Sequence, residues 1–355
     1  MNEVATFPLA SLTATASVAV LLVALLRLPM RRIVGARAAY CLWLMVPAGT
    51  TVALLPAPAH SFALPSITVP AAIEQVIAAA VAAWTGINAP MFLTSYGALV
   101  WVVGAAVMIF FALRRERRFL DSLGTLAPLP NGTYQGEFAV EPMLVGALRP
   151  RVVLPADFDS RYTQEEREFV LAHERAHLVR GDALANAFAA LWLCLCWFHP
   201  LMYWAVERFR FDQELACDAK VLASTRGRRR RYAHALLKTQ LAGSDAEAIA
   251  LPAPFGAQWQ SAHPLRERIR ALKNPLPGGL RHATGVVAAF VLIAAGCYST
   301  WAVQAGPKLA STAPGEQLQA QSRTPMHSTT RAPGHETTVA ERCRGNAHAS
   351  GDKVV

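Results

Sequence analysis

Long stretches of apolar residues without a charged side chain recur along this chain and dominate its pattern of hydrophobic and polar positions. Four of them cover residues 4–26, 38–59, 91–113 and 283–306. A helix of about 20 residues crosses the hydrocarbon core of a bilayer, which is about 30 Å thick. The pattern therefore predicts a mainly α-helical membrane protein with four transmembrane helices.

The charge of the segments between these stretches changes from one connection to the next. The chain has a net charge of +10, yet residues 56–90 contain one acidic residue and neither Lys nor Arg. Basic residues follow the first and third stretches and precede the fourth: Arg27, Arg31, Arg32, Arg37, Arg114, Arg115, Arg117, Arg118, Arg266, Arg268, Arg270, Lys273 and Arg281. Basic connections stay in the cytoplasm. We therefore expect an external N-terminus and an external 56–90 loop, and no direct binding of nucleic acid.

Most of the polar sequence lies in residues 114–282, which we expect to form a cytoplasmic α+β domain inserted before the fourth membrane helix. Residues 307–355 are rich in Ser, Thr, Pro, Ala and Gly. Such a segment cannot bury enough surface to fold, so we expect a disordered external tail. The Ala-rich stretch 71–84 contains Glu74 and is interpreted as an external surface helix, with membrane insertion as the open alternative.

Two histidines four residues apart, His173 and His177, lie in a helical pattern with Glu174 between them. Thr163 and Glu166 form a predicted capping box that begins this helix. Both imidazoles project from one face and can bind one metal ion, while Glu174 is placed to act as a base. The sequence thus predicts zinc peptidase chemistry, against the alternative of a polar helix with two solvated histidines.

A catalytic zinc ion takes three protein ligands and keeps one position for water, so a third ligand is required. Glu214 is the candidate. Asp218, one helical turn later, and Asp182, five residues after His177, are candidates for hydrogen-bonding a ligand imidazole. Either aspartate also fits a helix cap. Cys217 is interpreted as a buried structural thiol rather than a ligand.

A further uncharged stretch, residues 183–206, is long enough to cross the membrane. A single crossing would separate Glu214 from His173 and His177, and one zinc ion could not then bind all three. Pro200 can break the helix. We therefore predict a helical hairpin that packs on the active-site helix or lies in the bilayer interface.

Two short strand-like runs precede the motif, at residues 138–140 and 151–154, and predict a small antiparallel sheet. An edge strand beside the metal helix can bind an extended peptide by main-chain pairing, although the hairpin also fits a purely structural role. Candidates for stabilising the oxyanion are Tyr203, His199 and His234, each of which also fits a structural role.

Several motifs in order resemble those of one known family. They are Val145-Gly146 with Arg149-Pro150 and Val153-Leu154-Pro155, the His173-to-His177 helix with Arg180 and Asp182, Phe198-His199-Pro200-Leu201, and the run 213–218. Over residues 1–305 the chain resembles the membrane-embedded zinc metallopeptidases of the BlaR/MecR antirepressor type, which are gluzincins. The resemblance implies one Zn²⁺ ion bound by His173, His177 and Glu214, with Glu174 as catalytic base.

The resemblance also implies a signal-response role in the bacterial inner membrane. Proteins of this type cleave a cytoplasmic transcriptional repressor or themselves. Many carry an external penicillin-binding sensor, which we expect to be missing because residues 306–355 are too few for such a domain. The alternatives are a membrane quality-control peptidase of broad specificity and a non-proteolytic signalling protein with a structural metal site.

Overall fold

Helices form most of the chain that the structure describes. The structure is a computed structural model, and it describes residues 9–56, 91–225, 227–244, 262–275 and 277–303. These residues belong to one unit that ends at Gly306. The surface helix predicted at 71–84, nearly all of the 56–90 loop and the tail at 307–355 lie outside the described residues.

The described residues form eleven α-helices and four short strands. In chain order the helices are α1 (Leu9–Ile33), α2 (Ala36–Cys41), α3 (Met45–Val52), α4 (Met91–Ser122), α5 (Phe158–Arg161), α6 (Gln164–Arg180), α7 (Asp182–Leu195), α8 (Pro200–Ser224), α9 (Arg229–Ser244), α10 (Ala262–Leu272) and α11 (Gly279–Val303). The strands are β1 (Leu126–Pro128), β2 (Tyr134–Gly136), β3 (Met143–Val145) and β4 (Arg151–Pro155).

Three of the described helices are long and apolar enough to cross a membrane, at Leu12–Ile33, Tyr96–Ser122 and Gly279–Ala302. They coincide with the first, third and fourth predicted stretches, so the mainly α-helical class with membrane helices is confirmed. The second stretch is helical from α2 through α3. A 3-10 turn, Leu42–Leu44, interrupts it, and each of its helical pieces is shorter than the other three helices.

One apolar core joins α1, α3 and α11 to the first half of α8. Its buried members include Val20, Leu42, Met45, Met202 and Ala289. The helix pair α7–α8 therefore packs directly on the membrane helices. On its other side α7 contacts α4.

The contact between α4 and α7 depends on tryptophans and one glycine. The Trp101 indole donates to the Leu195 carbonyl at 2.8 Å. At Gly104 a Cβ atom would overlap the Trp197 indole, so only glycine permits this close approach.

The chain changes direction at both ends of α7. Gly181, with φ at 71°, ends α6 in the left-handed conformation that glycine adopts without strain. The axes of α6 and α7 differ by 60°, and together these helices also meet the length and composition of a membrane span. After α7 ends at Leu195, Pro200 begins α8 at a position where its missing N–H is not needed.

The four strands form a mixed sheet in the order β1-β2-β4-β3. β1 pairs with β2 and β3 with β4 in antiparallel fashion, whereas β2 and β4 are parallel. The prediction of a strand at 151–154 is confirmed by β4. The prediction of a strand at 138–140 is wrong, because the Phe138 amide bonds to the Leu123 carbonyl and the Val140 carbonyl accepts from Arg161.

Candidate metal centre

The helix that carries the histidines begins as the sequence predicts. The Thr163 hydroxyl accepts from the Glu166 amide while the Glu166 carboxylate accepts from the Thr163 amide, which confirms the capping box. Phe169 and Ala176 bury one face of α6 almost completely. His173 and His177 lie on the helix side that contacts α8, and both are buried.

Three donor atoms converge between α6 and α8. The Nε2 atoms of His173 and His177 are 3.1 Å apart. The Glu214 carboxylate oxygens lie 3.3 Å from Nε2 of His173 and 3.4 Å from Nε2 of His177. The structure thus brings together all three residues that the sequence nominates as metal ligands.

The triangle of donor atoms has the size that a zinc ion requires. Zinc binds imidazole nitrogen and carboxylate oxygen at about 2.0–2.1 Å, so two ligands of a tetrahedral site lie about 3.3 Å apart. The observed separations of 3.1 to 3.4 Å match this value. Two imidazoles and one carboxylate also leave a fourth position for water. The residues present therefore fit a catalytic zinc ion.

The remaining ring nitrogen of His177 is fixed by Asp182. His177 Nδ1 lies 2.8 Å from a carboxylate oxygen of Asp182, which is 1% exposed. A carboxylate can only accept here, so Nδ1 carries the proton and the Nε2 lone pair faces the metal position. The other carboxylate oxygen accepts from the Tyr40 hydroxyl at 3.2 Å.

His173 is held through a relay rather than by a carboxylate alone. Its Nδ1 lies 3.0 Å from the Tyr232 hydroxyl, which donates to Asp218 at 2.7 Å. The Asp218 carboxylate itself is 3.5 Å from Nδ1. Because the Tyr232 hydroxyl donates its own proton to Asp218, it accepts from His173. Nδ1 of His173 therefore carries the proton, and the Nε2 lone pair is free for a metal. Asp218 and Asp182 thus lie where the sequence places them, each beside a different imidazole.

Arg268 joins the third ligand to this network. Its guanidinium donates two hydrogen bonds to Asp218, at 2.8 and 2.9 Å, and approaches the Glu214 carboxylate to 3.0 Å. Burial opposes the charged form of Glu214, but Arg268 and the two imidazoles outweigh it and hold the pKa of Glu214 well below its usual range. The carboxylate is therefore ionised and ready to bind a cation.

Sequence reasoning missed Tyr232 and Arg268 as members of this site. Neither residue has a sequence signal that links it to His173, since Tyr232 follows a run of arginines and Arg268 is one of several basic residues before the last helix. Only the packing of α9 and α10 against α6 and α8 brings both side chains to the centre.

Glu174 lies between the two histidines on α6 and is 8% exposed. Burial raises its pKa, and the neighbouring imidazoles oppose that rise only in part. A carboxylate whose pKa is raised above its usual value can accept a proton and return it within one reaction cycle.

A second group of potential ligands comprises His177, Asp182 and Cys217. It fits a metal less well, because Asp182 already accepts from His177 and burial raises the pKa of the Cys217 thiol to about 11. The thiolate is the form that binds metals. Cys217 is instead a buried thiol that contacts Arg180 at 3.1 Å.

The three residues nominated for the oxyanion have other partners. Tyr203 donates to the Trp197 carbonyl at 2.8 Å, and His199 lies 2.9 Å from the Ser17 hydroxyl of α1. His234 contacts Glu166 at 3.2 Å. Each contact serves the packing of two segments, and the oxyanion role stays a prediction.

The chain combines helices that are apolar and long enough to cross a membrane with a helix pair between which two imidazoles and a carboxylate converge. These features define the class of integral membrane proteins with a candidate metal centre. The family model described as BlaR1 peptidase M56 matches residues 8–272. The chain therefore belongs to the BlaR1 peptidase M56 family, in agreement with the resemblance of its motifs.

Curated relatives cover smaller parts of the chain. A protein named Regulatory protein BlaR1, from Bacillus licheniformis, is 36% identical over 81 residues, which are 23% of this chain and 13% of that protein. The Methicillin resistance mecR1 protein of Staphylococcus aureus is 22% identical over 163 residues, 40% of this chain and 28% of that protein. The protein of the same name from Staphylococcus epidermidis matches to the same extent. The chain thus spans less than a third of the length of each relative.

The tail contains one Ser-x-x-Lys spacing, at Ser350 to Lys353. The spacing of a penicillin-binding nucleophile is therefore present in the tail. These residues lie outside the part of the chain that the structure describes, and four residues by themselves define no site.

Proposed function

We propose that this protein is a membrane-embedded zinc metalloendopeptidase of the gluzincin type, which hydrolyses peptide bonds of a cytoplasmic protein. The observation that carries the proposal is the triangle formed by His173, His177 and Glu214. Its 3.1 to 3.4 Å edges suit one zinc ion, and Glu174 lies beside it on the same helix. Membership of the peptidase family supports the same chemistry.

Zinc bound by these three residues would polarise the attacking water and the scissile carbonyl. The protein's own contribution is proton transfer and orientation. Glu174 accepts a proton from the attacking water and delivers it to the leaving amine. Asp182 and the pair of Tyr232 with Asp218 keep the imidazoles in one tautomer and one orientation.

Strand β3 is the candidate for holding the substrate. It lies at the edge of the sheet and packs against α6, the helix that carries the two histidines. The edge of β3 that does not face β4 is the part that an extended peptide would pair with. Such pairing gives affinity without a strict sequence requirement, which suits an endopeptidase.

The proposed topology has four crossings in a bacterial inner membrane, with the peptidase domain, residues 114–282, in the cytoplasm. The helical run from α2 to α3 serves as the second crossing. The pair α6–α7 does not cross, because α8 returns Glu214 to the histidines of α6. The α7–α8 hairpin instead packs on the membrane core.

The biological role we propose is signal-dependent cleavage of a transcriptional repressor or of the protein itself. Its support is the similarity to proteins that are named regulatory and methicillin resistance proteins. A broad-specificity quality-control peptidase and a non-proteolytic signalling protein are the competing outcomes of the test.

The test replaces Glu174 by Gln and compares the cleaved proteins of cells that carry wild type or variant. Zinc content should be unchanged and cleavage abolished. Glu168→Gln is the matched control, since Glu168 lies on the same helix but is exposed. Proteolysis that survives in the Glu174 variant would overturn the assignment, and many cleaved membrane proteins would favour quality control.

A further inference from the structure

A cavity of about 1680 Å³ lies between the end of α1, the start of α2 and the middle of α8. The start of α11 and the segment before it close its far side, through Pro277, Gly278, Gly279 and His282. The walls thus come from both the membrane helices and the peptidase domain.

The walls of this cavity are strongly basic. Nine cationic side chains contribute to its lining, namely Arg27, Arg31, Arg32, Arg37, Arg180, Arg208, Lys220, Arg229 and Arg270. Glu267 is the acidic residue of the lining. So many like charges around one space create a positive potential that attracts anions.

Only part of this charge is neutralised inside the protein. Arg27 and Arg31 pair with Asp212, at 3.2 and 3.8 Å, and Arg180 pairs with Asp182 at 3.3 Å. Arg208 pairs with Glu207 at 4.0 Å. Four further cations, Arg32, Arg37, Lys220 and Arg270, form no ion pair with any residue in the described ranges. All four are exposed and line the cavity, so a ligand that enters it can reach their charges.

The cavity lies at the ends of two candidate membrane spans. Arg27, Arg31 and Arg32 occupy the last turns of one candidate span, and His282 lies in the first turn of another. Apolar side chains remain exposed at the same ends: Leu28 is 41%, Ile33 55% and Leu280 82% exposed. A ligand there meets basic groups in the cavity and apolar groups along the adjoining helix ends.

We propose that this cavity binds the phosphate headgroup of an anionic phospholipid from the cytoplasmic leaflet. Guanidinium groups bind phosphate oxygens through paired N–H donors, and the lining provides eight of them. The exposed apolar residues at the helix ends give the acyl chains a surface, which a soluble phosphate would not use. An anionic phospholipid therefore fits both the basic cavity and the apolar surface of the adjoining helix ends.

A bound headgroup would touch residues that hold the metal ligands, a consequence that rests on the proposed function. Tyr40 and Arg180 line the cavity. Tyr40 donates to Asp182, the acceptor of His177, and receives a hydrogen bond from Gln213, the neighbour of Glu214. The lipid site and the metal centre therefore share a wall.

The test measures lipid binding directly, by native mass spectrometry of the full chain in neutral detergent. Short-chain phosphatidylglycerol and phosphatidylcholine of equal chain length are titrated against wild type and against the triple variant Arg32→Gln, Arg37→Gln, Lys220→Gln. The matched control removes three exposed charges at another membrane helix end, through Arg114→Gln, Arg117→Gln and Arg118→Gln. All variants also carry Glu174→Gln, so that the result does not depend on proteolysis.

We expect wild type to bind phosphatidylglycerol in preference to phosphatidylcholine, and the cavity variant to bind it about tenfold or more weakly. The control variant should change much less. An equal loss in the control would reduce the effect to general attraction at the membrane surface and overturn the site. Displacement of the lipid by inorganic phosphate at equal concentration would overturn the lipid assignment in favour of a soluble anion.

Discussion

His177 donates its Nδ1 proton to Asp182 at 2.8 Å although the two residues are only five positions apart. On a continuous helix such residues point about 140° away from each other. The contact exists because Gly181 adopts φ of 71° and turns α7 by 60° relative to α6. A single glycine thus brings the acceptor back beside the imidazole that it orients.

Asp182→Asn should weaken zinc binding by about 10- to 100-fold. The amide keeps the shape of the carboxylate but loses the charge that favours a protonated Nδ1. We would measure zinc affinity by competition with a chromogenic chelator. Asp121→Asn is the control, because it removes the same charge from a residue that is exposed on α4. Equal affinities in both variants would contradict the role of Asp182.

Tyr232→Phe should also weaken zinc binding, because it opens the relay from His173 to Asp218. The hydroxyl lies 3.0 Å from His173 Nδ1 and 2.7 Å from Asp218, and Tyr232 is 2% exposed. Loss of a buried hydroxyl between two polar partners costs about 1–3 kcal/mol. The thermal midpoint and the zinc affinity should therefore both fall.

Tyr134→Phe provides the comparison for this change. It removes a hydroxyl from the sheet while the ring stays available to the Arg151 guanidinium, whose carbon lies 4.9 Å from the ring centroid. If both phenylalanine variants bound zinc as wild type does, His173 would not need the relay.

The sequence predicts those parts of the candidate metal centre that depend on helix geometry or on the coordination number of zinc. Helical periodicity places His173 and His177 on one face, and the zinc coordination number demands a third ligand such as Glu214. Tyr232 and Arg268 could not be predicted, because their place depends on how α9 and α10 pack against distant helices.

The sheet shows a second limit of local patterns. Residues 138–140 have the composition of a strand, yet tertiary hydrogen bonds to Leu123 and Arg161 hold their backbone outside the sheet. The β4 segment keeps its predicted strand because it pairs on both sides, with β2 and with β3. Short strands therefore follow their partners more than their own composition.

Glu166→Gln should destabilise the protein at neutral pH but not at low pH. Burial raises the pKa of Glu166, but hydrogen bonds from Lys238, the Thr163 amide and His234 outweigh it and lower the pKa to about 2. Because the folded pKa lies below the ordinary 4.5, the ionised carboxylate stabilises the fold above pH 4.5, and this contribution disappears as the pH falls toward 2.

The thermal midpoint of the detergent-solubilised protein tests this dependence. Glutamine can still serve in the capping box, so the variant isolates the charge. The difference between wild type and variant should shrink as the pH falls from 7 to 3. Glu168→Gln, an exposed carboxylate of the same helix, should show no such trend. A difference independent of pH would assign the effect to packing instead.

Asp212→Ala should be among the most destabilising single changes, because Asp212 ties α1 to α8 two residues before Glu214. It is 1% exposed, accepts from the Trp43 indole at 2.9 Å and pairs with the buried Arg27 at 3.2 Å. Removing one partner of a buried ion pair costs about 3–5 kcal/mol, since the other charge is left unpaired. Replacing both, as in Arg27→Met with Asp212→Leu, should restore much of the thermal midpoint. A double variant no more stable than Asp212→Ala would show that the pair itself, and not the orphaned charge, stabilises the contact.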